Sequence, residues 1–121
     1  MANEITVTVK LSAVKGFLNY RDEPGVQSIT MNGSTGSGGV QTVLTSHGAL
    51  AIGSVGTAGW AFFRNTDATN FVEIGRDNAG TFIGFVKLKA GESCILRLTT
   101  NALYARANTA SVNLQYYILA D

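Results

Sequence analysis

The side chains with chemical potential are few. The chain of 121 residues holds one histidine, His47, and one cysteine, Cys94. Nucleophilic catalysis by serine needs a histidine between a hydroxyl and a carboxylate. His47 stands in Ser46-His47-Gly48, which reads as an exposed turn, and no Gly-x-Ser-x-Gly elbow is present. A zinc site needs several Cys or His ligands, more than one of each. Calcium needs clustered oxygen ligands; Asp77-Asn78 and Asn65-Thr66-Asp67 are the nearest approaches. Turns use such residues for local hydrogen bonds, and that is how both stretches read. Glycoside hydrolysis takes two facing carboxylates. Nearly all the acids fall in turns or at ends; Glu73 is the exception, and alternation turns it to solvent opposite Val72 and Ile74.

Binding chemistry is equally sparse. The glycine-rich stretch Asn32–Gly39 lacks the Lys-Ser/Thr ending of a phosphate loop and a helix to follow it, so it reads as a flexible surface loop. Trp60, Phe62 and Phe63 have ring faces suited to bases or sugars, but Arg64 is their one basic neighbour, and they read as core. The nine basic residues are scattered. Lys87 and Lys89 share one face of a strand and read as an edge guard, with no run to track a phosphate backbone. The expectation is therefore no catalytic, cofactor-binding or metal-binding residue, no enzymatic activity, and no direct contact with nucleic acid.

The elements that carry these residues are strands. Ile5, Val7, Val9 and Leu11 alternate with polar residues and share a face. Gly16–Tyr20 extends or reverses this strand, and Arg21–Gly25, with the single proline Pro24, reads as a turn. Strands are expected at Val26–Met31, Val40–Thr45, Ala49–Val55, Trp60–Arg64, Phe71–Ile74, Thr81–Lys89, Ser93–Leu98 and Ala102–Ala107. In the last strand Ala110, Val112, Leu114, Tyr116 and Ile118 face one way. No stretch has helical periodicity. About eight to ten short strands with turns between them predict an all-β, antiparallel β-sandwich or barrel, as a single domain over 1–121.

Composition adds a constraint. Charged residues are 14% of the chain, against about 25% in average proteins. The formal net charge is +1. One cysteine forms no internal disulfide, which suits a reducing cytosol. The start Met-Ala-Asn-Glu-Ile lacks the pattern of a signal peptide, and no apolar run has the length of a membrane span. Asn32-Gly33-Ser34 matches a glycosylation sequon and is read as a turn.

Four strings carry a resemblance: Gly59-Trp60-Ala61-Phe62-Phe63-Arg64-Asn65, the run Asp67–Gly75, the run Phe85–Glu92, and the ending Leu114-Gln115-Tyr116-Tyr117-Ile118-Leu119. Together they resemble small virion structural proteins of tailed bacteriophages, well over 49–121 and loosely before it. The resemblance implies a jelly-roll fold and a non-enzymatic subunit that decorates or cements the capsid, made in the host cytoplasm and resident in the virion. It implies contact with the major capsid protein or other virion proteins and, since decoration subunits often sit at three-fold positions, a homotrimer. A tail or baseplate component and a carbohydrate-binding module using Trp60 are the alternatives. The scarcity of charge argues independently for a homo-oligomer, because uncharged surface is cheaper to desolvate when subunits meet. So do strands apolar on both faces: Trp60 and Phe62 oppose Ala61 and Phe63, and Phe82, Val86 and Leu88 oppose Ile83 and Phe85.

Overall fold

A computed structural model describes residues 3–121. The chain is all-β and antiparallel throughout. Ten strands run in order: β1 (Ile5–Lys15), β2 (Leu18–Ile29), β3 (Gly36–Val43), β4 (Gly48–Ala49), β5 (Ala58–Asn65), β6 (Val72–Asn78), β7 (Thr81–Leu88), β8 (Ser93–Arg97), β9 (Tyr104–Ala107) and β10 (Val112–Ala120). They fall into two compact units, one ending at Asn32 and the other spanning Gly33–Asp121.

The first unit is the hairpin β1–β2, with Lys15 paired to Leu18 across the two-residue turn Gly16–Phe17. The turn expected at Arg21–Gly25 is strand instead. Val9 pairs with Gly25 and Leu11 with Asp22, so β2 carries one extra residue opposite Lys10. That bulge holds Glu23 and Pro24, and an unpaired position is where a strand tolerates a residue without an N–H. The alternation of β1 keeps Ile5, Val7, Val9 and Leu11 on one face, but only Ile5 and Val7 are buried.

The second unit is a β-sandwich. One sheet has the order β3-β10-β5-β8 and the other β4-β9-β6-β7. Successive strands mostly alternate between the sheets, so the cores of both assemble from residues far apart in sequence. β10 supplies five inward side chains, Val112, Leu114, Tyr116, Ile118 and Ala120, all buried. Ala61 and Phe63 of β5 and Val43 of β3 join them from the same sheet. Val72 and Ile74 of β6, Leu88 of β7, and Ala105 and Ala107 of β9 close the core from the other sheet. The Phe63 and Tyr116 rings stack with centroids 6.1 Å apart. Ala110, expected on the inward face of the last strand, is exposed and precedes it.

Three further expectations need correction. The stretch Gly36–Gly39 is not a loop but the start of β3. A Cβ on Gly38 would collide with the backbone of Tyr116 and Tyr117, so glycine lets β3 lie close against β10. Ala49–Val55 does not form a strand, since β4 ends at Ala49. The following backbone is tied down by side chains: Gln41 Nε2 donates to the Ala49 carbonyl, Ala51 N donates to Gln41 Oε1, and the Tyr116 hydroxyl donates to the Ala51 carbonyl at 2.6 Å. The segment expected from Ala102 becomes strand only at Tyr104.

Among the described residues the one buried polar side chain is Asn65 at the end of β5, and it is fully satisfied. Its Nδ2 donates to the carbonyls of Asn70 and Leu88, and its Oδ1 accepts from Asp67 N. It thereby shapes the β5–β6 connection and ties it to β7.

Leu114 has no exposed surface. Leu114→Ala is expected to lower stability by about 2–5 kcal/mol, whereas Gln115→Ala, outward on the same strand, should change it by less than about 0.5 kcal/mol. Denaturant unfolding of the two variants checks this; equal effects would mean that β10 is facing the wrong way.

Candidate functional site

The two sheets of the sandwich present different outer faces. On the outer face of β4-β9-β6-β7, register sets Lys87, Glu73 and Arg106 side by side across three strands. Arg106 donates to Glu73 at 3.0 Å. The Lys87 ammonium sits 4.1 Å from the Phe71 ring centre, and the Arg106 guanidinium 4.8 Å from that of Phe82. Lys87 lies on the edge strand β7, where a charge discourages further strand pairing. Glu73 is partly buried rather than fully solvated, because this ion pair covers it.

The same face holds the sole histidine. His47 is not the exposed turn residue expected: it is half-buried, its ring between Phe82 and Tyr104, with Nε2 2.7 Å from Asp77 Oδ1. Sequence reasoning missed this because β4 and β6, thirty positions apart, are brought together only through β9. The pairing gives the orienting half of an acid–histidine dyad. Among the described residues no hydroxyl is hydrogen-bonded to the other ring nitrogen. The hydrogen bond from His47, helped by the Gly80 N–H, holds the Asp77 carboxyl below the usual aspartate range.

Asp67 likewise serves its own loop. Its Oδ2 accepts from the backbone N–H groups of Asn70 and Thr69, which lower its pKa. Both candidate calcium stretches thus spend carboxylate oxygens on local hydrogen bonds. Among the described residues no three His, Cys, Asp or Glu gather as metal ligands. Cys94 on β8 is half-buried opposite Phe63, and burial pushes its thiol pKa up. A cleft of about 560 Å³ opens between the sheets beside β7 and β8, walled by Ile74, Phe85, Val86, Leu96, Leu98 and Leu103.

The outer face of β3-β10-β5-β8 carries an apolar row among polar residues. Register places Gly38, Tyr117, Phe62 and Ile95 in one row across all four strands. Tyr117 is 49% exposed, Ile95 42% and Phe62 36%. The Tyr117 ring lies against Gly36 and Gly38, where no side chain stands in its way. Val40, 65% exposed, flanks the row in the line Val40, Gln115, Arg64, Ser93. On the other flank Trp60 is partly buried, with the Arg97 guanidinium 5.5 Å from its ring centre, and Arg97 is paired with Asp121. Of the aromatics expected in the core, Phe63 is there, while Phe62 and Trp60 face outward.

Comparison with protein-family models, with curated proteins and with solved structures finds no match.

Two solution measurements follow. Cys94 should label slowly with a thiol reagent in the native protein and rapidly once unfolded, since the nucleophile is the thiolate; equal rates would contradict its burial. Asp77 has a folded pKa below its unfolded value, so its contribution to stability is present above the unfolded value and lost as pH falls through the folded one. Asp77→Asn should therefore flatten the loss of stability below about pH 4, read from thermal unfolding across pH; an unchanged acid limb would remove the pairing from the account.

Proposed function

We propose that this chain is a non-enzymatic structural subunit of a tailed-phage virion, a capsid decoration or cement protein acting as a homotrimer bound to the major capsid protein. The observation that carries an assembly role is the apolar row Tyr117, Phe62 and Ile95 on one outer face, opposite a charged outer face on the other sheet. A solitary sandwich in water needs both outer faces polar. The apolar one is served by burial against another subunit, and closed symmetry buries it without leaving an open surface. The phage setting and the number three rest on the resemblance of the strings between Gly59 and Leu119.

The jelly-roll form belongs to the same proposal. Its support is the strand order, with eight strands in two antiparallel sheets whose members interleave along the chain. A carbohydrate-binding module is the second reading, favoured by the exposed rings of Phe62 and Tyr117 on one face. Glycan-array binding that Phe62→Ala abolishes would favour it.

Light scattering coupled to size-exclusion chromatography of the full chain tests the assembly role. The expected mass is that of three chains. A mass of one chain, unchanged on concentrating the sample, would contradict self-association.

A further inference from the structure

The β1–β2 hairpin has one face richer in apolar side chains than the other. By register Ile5 stands across from Ile29, Val7 from Gln27, Leu11 from Asp22, Ala13 from Tyr20 and Lys15 from Leu18. One face therefore carries Ile5, Val7, Val9, Leu11, Ala13, Leu18, Tyr20 and Ile29, interrupted by Lys15, Asp22 and Gln27; the other carries Thr6, Thr8, Lys10, Ser12, Asn19, Arg21 and Ser28, with Val14 and Val26 exposed among them. Ile5 and Val7 are buried, but from Val9 onward the apolar face is open: Leu11 is 63% exposed, and Phe17 at the turn is fully exposed. A two-stranded hairpin is at best marginal in water without a hydrophobic cover. The alternation that earns burial at Ile5 and Val7 continues unchanged into residues that have none.

Resting on the reading of this chain as a self-associating subunit, we infer that the outer half of the β1–β2 hairpin is an arm that packs on the apolar outer face of β3-β10-β5-β8 in a second copy. Each surface exposes a group of large apolar side chains, Leu11, Phe17 and Leu18 on the arm and Val40, Phe62, Ile95 and Tyr117 on the sheet, and sheets bury such groups by packing face to face. Their sizes agree. From Val9 to Lys15 the arm reaches about 20 Å, and the four strands it would cross span about 14 Å between outer strand axes. Their charges agree as well. Asp22 lies within the apolar face of the arm, opposite Leu11. Arg64 lies on the outer sheet face beside the row, and among the described residues it has no carboxylate partner. A charge pair at the rim of an apolar contact fixes its register.

The test uses the full chain. In a heavy-isotope-labelled sample Leu18 is replaced by a photoreactive benzophenone amino acid, and this sample is mixed with unlabelled chain. After irradiation, cross-links from labelled chain to unlabelled peptides containing Phe62, Ile95 or Tyr117 are expected. Cross-links confined to one chain, or running to the Lys87–Glu73–Arg106 face, would overturn the inference. Independently, Leu11→Ser with Leu18→Ser replaces two exposed side chains and should weaken self-association by about tenfold or more, with the unfolding midpoint of the sandwich unchanged. Association at wild-type strength in that variant would overturn the arm while leaving the assembly role standing. A wild-type chain that never associates would overturn both.

Discussion

The sandwich depends on β10. It is paired on both sides, with β3 and β5, and each of its inward positions from Val112 to Ala120 is buried. Its period of two decides everything around it, because a slip of one residue would send Leu114 and Ile118 to water and bring Asn113, Gln115 and Tyr117 inside. The neighbours hold that register by shape. Gly36 and Gly38 admit β3 close against Tyr116 and Tyr117, and Phe63 stacks on Tyr116. The hydroxyl of Tyr116 reaches the Ala51 carbonyl, so the strand that fills the core also anchors the backbone after β4.

The same alternation that buries one side of β10 leaves Tyr117 on the other, and here the scarcity of charge acquires a location. Charge is not thin everywhere. The Lys87, Glu73 and Arg106 ladder, the cations over Phe71 and Phe82, and the His47–Asp77 pair gather on one outer face. The other carries the exposed apolar side chains Val40, Phe62, Ile95 and Tyr117, flanked by Arg64 and by Arg97 with its partner Asp121. The proposed assembly would cover this apolar row, and the exposed apolar side chains of the hairpin are the proposed cover. Burying large apolar side chains contributes about 1.5–3 kcal/mol each when complete, so a few such residues suffice to drive association once the ordering costs are met.

Strand identity was legible where a residue pattern had one reading. Val112 through Ile118, Thr81 through Leu88 and Ser93 through Arg97 show clear alternation or β-rich composition, and the all-β architecture followed. Glycine and proline misled where they served packing rather than turning. Gly36, Gly38 and Gly39 look like a loop until β10 is placed beside them, and Pro24 looks like a turn until a bulge receives it. The doubly apolar strand β5 was legible as such, and it places Phe63 inward and Phe62 outward. The His47–Asp77 contact was beyond reach, because it depends on strand order, which no local pattern encodes.

The central claim concerns which face of the sandwich is covered in the assembled protein. A cryo-EM reconstruction of the assembled chain reads it directly. The expected result is density from a neighbouring copy over Val40, Phe62, Ile95 and Tyr117, with Lys87, Glu73 and Arg106 open to solvent. An assembly joined through the Lys87–Glu73–Arg106 face, with the apolar row left in water, would contradict it.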